Sequence, residues 1–383
     1  MKIDRDFLVR TLADLVRINS VNPTLVEGGA GESEIATYVA ESLARAGLEV
    51  RRIEPEPGRP SVVGILRGRR AGRSLMLNAH YDTVGVDGMA GPFSAAIRDG
   101  KLYGRGAYDM KGSLAACMAA AKALAASQAL EAGSLVVAAV ADEEYGSLGT
   151  AAVIREVKTD AAIVTEPTAL NVCLAHKGYL WIEVATEGRA AHGSRFQEGI
   201  DANMRMGRFL AELDQLEREL RGRPGHRLVG PPSLHAPMIA GGTGLSTYAA
   251  SCKLQIERRT VPGETEAQAV AEIHRIADRL ASVDPTFRAT VRCFFGREPF
   301  EVAADAAIVR TVDRAAESVL GRKPAHFGDT PWMDAALLQA AGTETVVIGP
   351  RGAGAHAAAE WVDVESVAQL AEILVRAALD YCR

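Results

Sequence analysis

Cysteine is scarce and scattered in this chain of 383 residues. The five cysteines, Cys117, Cys173, Cys252, Cys293 and Cys382, are odd in number and form no Cys-x-x-Cys pair. That spacing argues against a disulfide framework and a thiolate zinc site, and it fits reduced core cysteines in a cytoplasmic protein. A basic stripe is missing too. The 43 Lys and Arg are outnumbered by 48 Asp and Glu, for a net charge of -5, with both signs mixed along the chain. That balance speaks against a nucleic-acid protein. No uninterrupted apolar run reaches the roughly 18 residues of a membrane-spanning helix. Residues 1–18 lack the uncharged apolar centre of a secretory signal. Charges interrupt them throughout, and Phe7, Leu8, Leu12, Leu15 and Val16 mark one face of a helix instead.

What is present is a globular chain, 48% hydrophobic and long enough for two domains. Up to about residue 175, helix-like and strand-like stretches alternate. Residues 35–47 read as a helix closed by Gly47, and residues 113–126 as another that is rich in alanine and leucine. Apolar runs at 74–77, 135–140 and 161–164 read as buried strands. The alternation predicts an α/β fold with a mostly parallel or mixed sheet flanked by helices. Near His176 the character changes. Strand-like patterns at 179–186, 235–240, 249–257 and 287–294 are interleaved with helical ones at 201–220 and 266–281. This βαββαβ order predicts a small ferredoxin-like α+β domain with two helices on one face of its sheet. Helix and buried-strand patterns then return, 344–349 being the clearest strand. The expected organisation is one domain made of residues 1–175 and 293–383, interrupted by an inserted domain at 176–292.

Acids and histidines gather where the buried runs stop. His80 and Asp82 follow the first run, and Glu143 and Glu144 follow the run at 135–140. Glu166 follows the run at 161–164. Asp109 lies in a glycine-rich loop ahead of a helix, and His356 in another after the strand at 344–349. Strand ends are where a parallel α/β sheet places its chemistry. Carboxylates and imidazoles gathered there, with few Lys or Arg among them, need a cation to offset their charge.

Each motif alone has a plainer explanation. His80 and Asp82, two apart on an extended backbone, point to the same side. The acid can then orient the imidazole toward a metal, although a surface histidine has the same pattern. Gly104-x-Gly106-x-x-Asp109 superficially matches a dinucleotide fingerprint, but Asp109 in place of the third glycine would repel a pyrophosphate. Asp109 suits a metal ligand that bridges two ions, or a helix cap. Of Glu143 and Glu144, one can bind metal while the other moves a proton, unless both are simply solvated. His192 alone reads as a turn residue, and Arg259 as a strand-surface charge. The five acid and histidine sites at His80, Asp109, Glu143-Glu144, Glu166 and His356 together make coincidence a poor explanation.

Taken in order, the motifs resemble the M20 metallopeptidase and amidohydrolase family over nearly the whole chain. The resemblance implies that His80, Glu166 and a bridging Asp109 hold one zinc ion. Glu144, His356 and the same Asp109 would hold the other, with cobalt or manganese as substitutes. It implies Glu143 as general base and Asp82 as the residue that orients His80. The inserted domain resembles a lid and dimerisation domain. There Ala191-His192-Gly193-Ser194 carries a histidine that reaches the partner's active site, which implies a homodimer. Arg259, three residues before Pro262-Gly263-Glu264, matches an arginine that grips a substrate carboxylate. Ser246 stands where an asparagine often contacts substrate. Phe196 replaces a proline of the lid motif, and Arg351 lies in the glycine loop ahead of His356. The expected activity is hydrolysis of the amide of an N-acyl amino acid. The alternatives are a C-terminal dipeptidase or carboxypeptidase on the same centre, and a non-catalytic binding protein that retains the fold. The expected partner is a small N-acyl amino acid or short peptide with a free carboxylate, with no nucleic acid and no membrane.

Overall fold

The computed structural model describes residues 2–383. Met1, the first residue of the expected larger domain, lies outside them. The chain divides into two compact units. The first contains the chain up to Leu174, Val302–Phe327 and Met333–Arg383; the second contains Ala175–Glu301 and Gly328–Trp332. The segment 176–292 lies inside the second unit.

The first unit is built on a mixed sheet. Its centre is four parallel strands in the order Ala132–Val140, Arg70–His80, Ala161–Val164 and Glu344–Val347. Ser61–Arg67 and then Glu49–Ile53 add to one side antiparallel, and Val172–His176 adds to the other. The central strands are near-continuous apolar runs: Leu75, Leu77, Leu135, Val137, Ile163 and Val164 are fully buried. Strands read this way when both faces of a sheet are covered. Register then aligns their ends. His80 pairs with Val140, and Asn78 with Val164. Chain leaving these strands, with Glu143, Glu144 and Glu166, therefore emerges level with His80. The helix Arg5–Arg17 begins at Asp4, whose side chain accepts from Phe7 N–H, and buries Leu8, Leu12, Leu15 and Val16.

The second unit has an antiparallel sheet in the order Ser233–Gly241, Ser251–Thr260, Gly178–Glu187, Ala289–Arg297. The helices Ala202–Gly222 and Glu266–Val283 bury Phe209, Leu213, Ile273 and Ile276 against Leu180, Ile182, Leu254 and Ile256. This is the ferredoxin-like arrangement. The strand Ser251–Thr260 runs three residues beyond the 249–257 pattern, and alternation separates two neighbouring arginines. Arg258 is fully buried and held by Glu264 at 2.8 Å and Glu272 at 3.2 Å. Arg259 points to the opposite face and keeps 31% of its side chain exposed.

Among the described residues, no helix is long and apolar enough to cross a membrane.

Candidate functional site

His80 is the last residue of its strand and is buried. Its Nδ1 lies 3.0 Å from the carbonyl oxygen of Asp82. A carbonyl only accepts, so in the neutral ring the proton belongs on Nδ1 and the lone pair on Nε2. That Nε2 faces Asp109 Oδ1 at 3.2 Å, Glu166 Oε1 at 3.6 Å and Glu143 Oε2 at 3.9 Å. Burial opposes a charge on His80, but these acids outweigh it and raise the imidazole well above its usual range.

The carboxylate of Asp82 lies beside the same ring. It is 3.6 Å from the His80 ring, and its closer partners are two backbone N–H groups and the Asn22 side chain. Oδ1 accepts from Glu143 N–H at 3.1 Å, and Oδ2 accepts from Glu144 N–H at 3.2 Å and Asn22 Nδ2 at 2.8 Å. Asp82 thus holds the ring through its carbonyl oxygen and the turn bearing both glutamates through its side chain.

Asp109 precedes the helix Gly112–Ser127 and caps nothing there. Its extended backbone (φ -116°, ψ 92°) turns the carboxylate between two imidazoles. Oδ1 faces His80, and Oδ2 lies 3.4 Å from His356 Nε2. Burial pushes its carboxyl up, but the two histidines outweigh that and hold it below the ordinary range. Glu144 Oε2 lies 3.0 Å from the same His356 Nε2. His356 has a left-handed backbone (φ 60°). Hydrogen bonds to Asp109 and Glu144 push its imidazole up to about 10.

Two groups of potential ligand atoms result: His80, Asp109 and Glu166, and Asp109, Glu144 and His356. Within each, the atoms lie within 4.8 Å of one another. Glu143 belongs to neither. Burial raises the pKa of Glu143, Glu144 and Glu166, and neighbouring carboxylates raise it further. Among the described residues, the only ion-pair partners of Asp109, Glu143, Glu144 and Glu166 are the two histidines. Clustered oxygen and nitrogen donors, mostly buried or half-buried and short of positive charge, fit divalent cations.

Three sequence candidates lie outside these groups, in the second unit. His192 and Ser246 are exposed, on loops joined by Gly193 N–H donating to the Ser246 carbonyl at 2.8 Å. Tyr248 N–H also donates to the Ala191 carbonyl at 3.0 Å, and His192 Nδ1 lies 2.8 Å from Ser194 Oγ. Arg259 Nε donates to Glu257 Oε1 at 2.7 Å, with its guanidinium 5.2 Å from the Tyr179 ring centre. Arg351 donates to Gln369 Oε1 at 3.1 Å, which ties it to the C-terminal helix.

Sequence reasoning passed over a buried polar frame behind the ligand atoms. Arg59 reaches Glu32 through two contacts of 2.8 Å, Asp142 at 2.6 Å and Asn22 Oδ1 at 3.1 Å. Asn22 in turn holds Asp82 and Asp142. Lys111 is fully buried, donates to the Ile18 carbonyl at 2.8 Å, and is pushed down to about 7 by burial. Glu360 is buried beneath the Asp109 loop. No motif flags these residues, because their partners are distant in sequence.

Clustered oxygen and nitrogen donors at the end of a mixed α/β sheet, with a spare, nearly buried carboxylate beside them, define a metal-dependent hydrolase. The chain belongs to peptidase family M20/M25/M40, whose pattern matches residues 76–380. It is 31% identical to an acetylornithine deacetylase of Myxococcus xanthus, over 97% of each chain. It is 27% identical to an N-formyl-4-amino-5-aminomethyl-2-methylpyrimidine deformylase of Bacillus subtilis, over 91% of this chain and 89% of the other. A solved dinuclear metal-binding peptidase of the M20 family from Bacillus subtilis has the same fold, with a TM-score of 0.75 at 16% identity over 99% of this chain and 98% of that one. So does an M20 metallo-carboxypeptidase from Sulfolobus solfataricus, with a TM-score of 0.79 at 19% identity over 98% of this chain and 99% of that one.

Proposed function

We propose that this protein is a di-zinc hydrolase that cleaves the amide bond of N-acyl amino acids. The observation that carries this is Glu143: a carboxylate only 11% exposed and in neither ligand group, yet 3.9 Å from the His80 Nε2 that belongs to one of them. His80, Asp109 and Glu166 would hold one ion, and Asp109, Glu144 and His356 the other. Bound there, the ions polarise the scissile carbonyl and lower the pKa of water from about 15.7 toward about 7, and cobalt or manganese can stand in for zinc.

Glu143 takes a proton from the attacking water and passes it to the leaving amine nitrogen. Because Glu143 belongs to neither ligand group, its carboxylate is free to hold the proton between those two steps. Asp82 keeps Glu143 and Glu144 in place through their backbone N–H groups. His192, supplied by a second copy of the chain, donates to the developing oxyanion. Arg259 pairs with the free carboxylate of the substrate, and Ser246, on the loop joined to that of His192, contacts the substrate. The homodimer forms through the inserted unit, segment 176–292, which serves as lid and dimerisation domain to a catalytic domain of 1–175 and 293–383. Its edge strand Ser233–Gly241 supports this, with Met238 62% and Ile239 55% exposed, because an unpaired edge is a template for another strand. All five cysteines are free, which fits a cytoplasmic setting.

The test is a parallel assay of acetylornithine, other N-acyl amino acids, dipeptides and N-formyl amines without a carboxylate, each with added zinc or cobalt. Fastest turnover of an N-acyl amino acid is expected. Preference for dipeptides would favour the dipeptidase or carboxypeptidase alternative. No turnover by protein carrying two zinc ions would favour a binding protein.

A further inference from the structure

One buried acid next to the candidate centre takes no part in the steps above. Glu360 is 1% exposed, and its carboxylate accepts four hydrogen bonds. Oε1 takes the backbone N–H groups of Tyr108 at 2.9 Å and Asp109 at 3.0 Å. Oε2 takes Gly106 N–H at 3.0 Å and Arg105 Nη1 at 2.7 Å. A buried carboxylate without such donors would be costly; this one has them from a single short segment. Gly106 turns that segment with a left-handed backbone (φ 76°).

Arg105 completes the arrangement. It is 3% exposed. Its other nitrogens donate to the Ala357 carbonyl at 3.0 Å and the Gly85 carbonyl at 2.9 Å. Ala357 directly follows His356, and Glu360 closes the same loop. One buried ion pair therefore joins the loop that carries Asp109 to the loop that carries His356, although Asp109 and Glu360 are 251 residues apart in sequence. The other ligand atoms have separate supports. His80 ends a strand of the central sheet, and Glu166 follows another. His356 has no such anchorage: its side chain is 56% exposed on a loop with a left-handed backbone.

We propose that Glu360 is a positioning residue that sets the spacing of Asp109 and His356, and thereby the affinity for the second ion of the pair. This rests on the dinuclear reading above. Partners that orient metal ligands typically change affinity by about 10–100-fold when removed. Here the loss should be larger for the Asp109–Glu144–His356 ion, two of whose ligands sit on the joined loops, than for the His80–Asp109–Glu166 ion, which shares only Asp109.

The experiment is a calorimetric zinc titration of full-length protein first stripped with chelator, for wild type, Glu360→Gln and Arg105→Lys. Glutamine keeps the volume of Glu360 but puts an amide NH₂ where Oε2 accepted two donors. Wild type should bind two ions. Glu360→Gln should bind the second ion about 10–100-fold more weakly and the first with a clearly smaller loss. Hydrogen exchange of the metal-free variant should quicken at Gly106, whose amide loses its acceptor, and less at Tyr108 and Asp109, which keep Oε1. Arg105→Lys keeps the charge but loses the fork to Ala357, and should weaken the second ion by less. If Glu360→Gln does not fold, Arg105→Lys decides by the same criterion. Unchanged affinity for the second ion, or equal weakening of both, would overturn the proposal. Wild type that binds fewer than two ions would instead overturn the dinuclear reading beneath it.

Discussion

The two units surround most of their chemically interesting side chains differently, with His356, 56% exposed, the exception in the first. In the first, His80, Asp82, Glu143, Glu144, Glu166 and Glu360 are buried or nearly so, and backbone groups hold several of them. In the second, His192 and Ser246 stand exposed on joined loops, and Arg259 is half-buried beside Glu257. Their carboxylates differ too. Burial pushes Glu143, Glu144 and Glu166 up in the first unit. In the second, Asp284 is held below its usual value by hydrogen bonds from the Thr286 hydroxyl and backbone and by Arg208. A buried cluster of acids must be framed in advance, because each unpaired charge is costly there. Exposed groups carry no such cost.

The hardest test of this contrast is metal removal. Chelation should abolish activity, and zinc or cobalt should restore it. Full activity in stripped protein would mean that the buried donors of the first unit serve only structure. Next in size, Glu143→Gln should lose about 10²–10⁴ in rate while the protein still binds metal by titration. If it loses metal instead, the roles of Glu143 and Glu144 are exchanged.

The exposed histidine gives a test that the buried site cannot. His192→Ala should cost about 10²–10³ in kcat if it removes an oxyanion donor. Mixing it with Glu143→Gln should recover activity, since mixed dimers contain one site with both groups intact. A fully active monomer in solution would break the assignment of His192 to a partner.

The adjacent arginines sharpen the comparison within one strand. Arg259→Ala should raise KM for an N-acyl amino acid about 10–100-fold, as expected for a lost hydrogen bond to a charged group. Lysine there should rescue only partly, because it lacks the planar fork. Equal wild-type rates on the acid and its amide would show that no carboxylate is read. Arg258→Met should leave KM unchanged but destabilise the fold in denaturant melts. Breaking a buried pair costs about 3–5 kcal/mol, and the lower end applies because Glu264 keeps 21% of its side chain exposed.

The smallest expected effect is a pH dependence in the second unit. The Asp284 carboxyl is depressed on folding, so its stabilisation is present above the ordinary aspartate value of 3.8 and is lost as pH falls below it. The gap in Tm between wild type and Asp284→Asn should thus be widest near neutral pH and shrink below about pH 4. A gap that stays constant would mean that the hydrogen bonds to Thr286 and Arg208 do not depend on the charge.

Much of the architecture is written in local patterns. Apolar runs ending in His80, in Glu143 and Glu144, and in Glu166 announce buried strands with chemistry at their tips, because side-chain alternation and burial act over a few residues. The βαββαβ order of the inserted segment is legible for the same reason. Strand ends are less so. The 249–257 pattern stops before Arg258, and the longer strand is what separates a buried arginine from an available one.

From the sequence alone came the candidate ligands, the spare glutamate beside them, and the sheet types of both units. Tertiary structure decided which atoms hold those residues in place. It gave the Asp82 carboxylate to the backbone of Glu143 and Glu144, set Asn22 and Arg59 behind it, and brought Glu360 to Asp109 across 251 residues. The physical reason is one of range. Alternation and burial are properties of neighbours along the chain, whereas a buried acceptor is matched to its donors only once the fold has removed both from water.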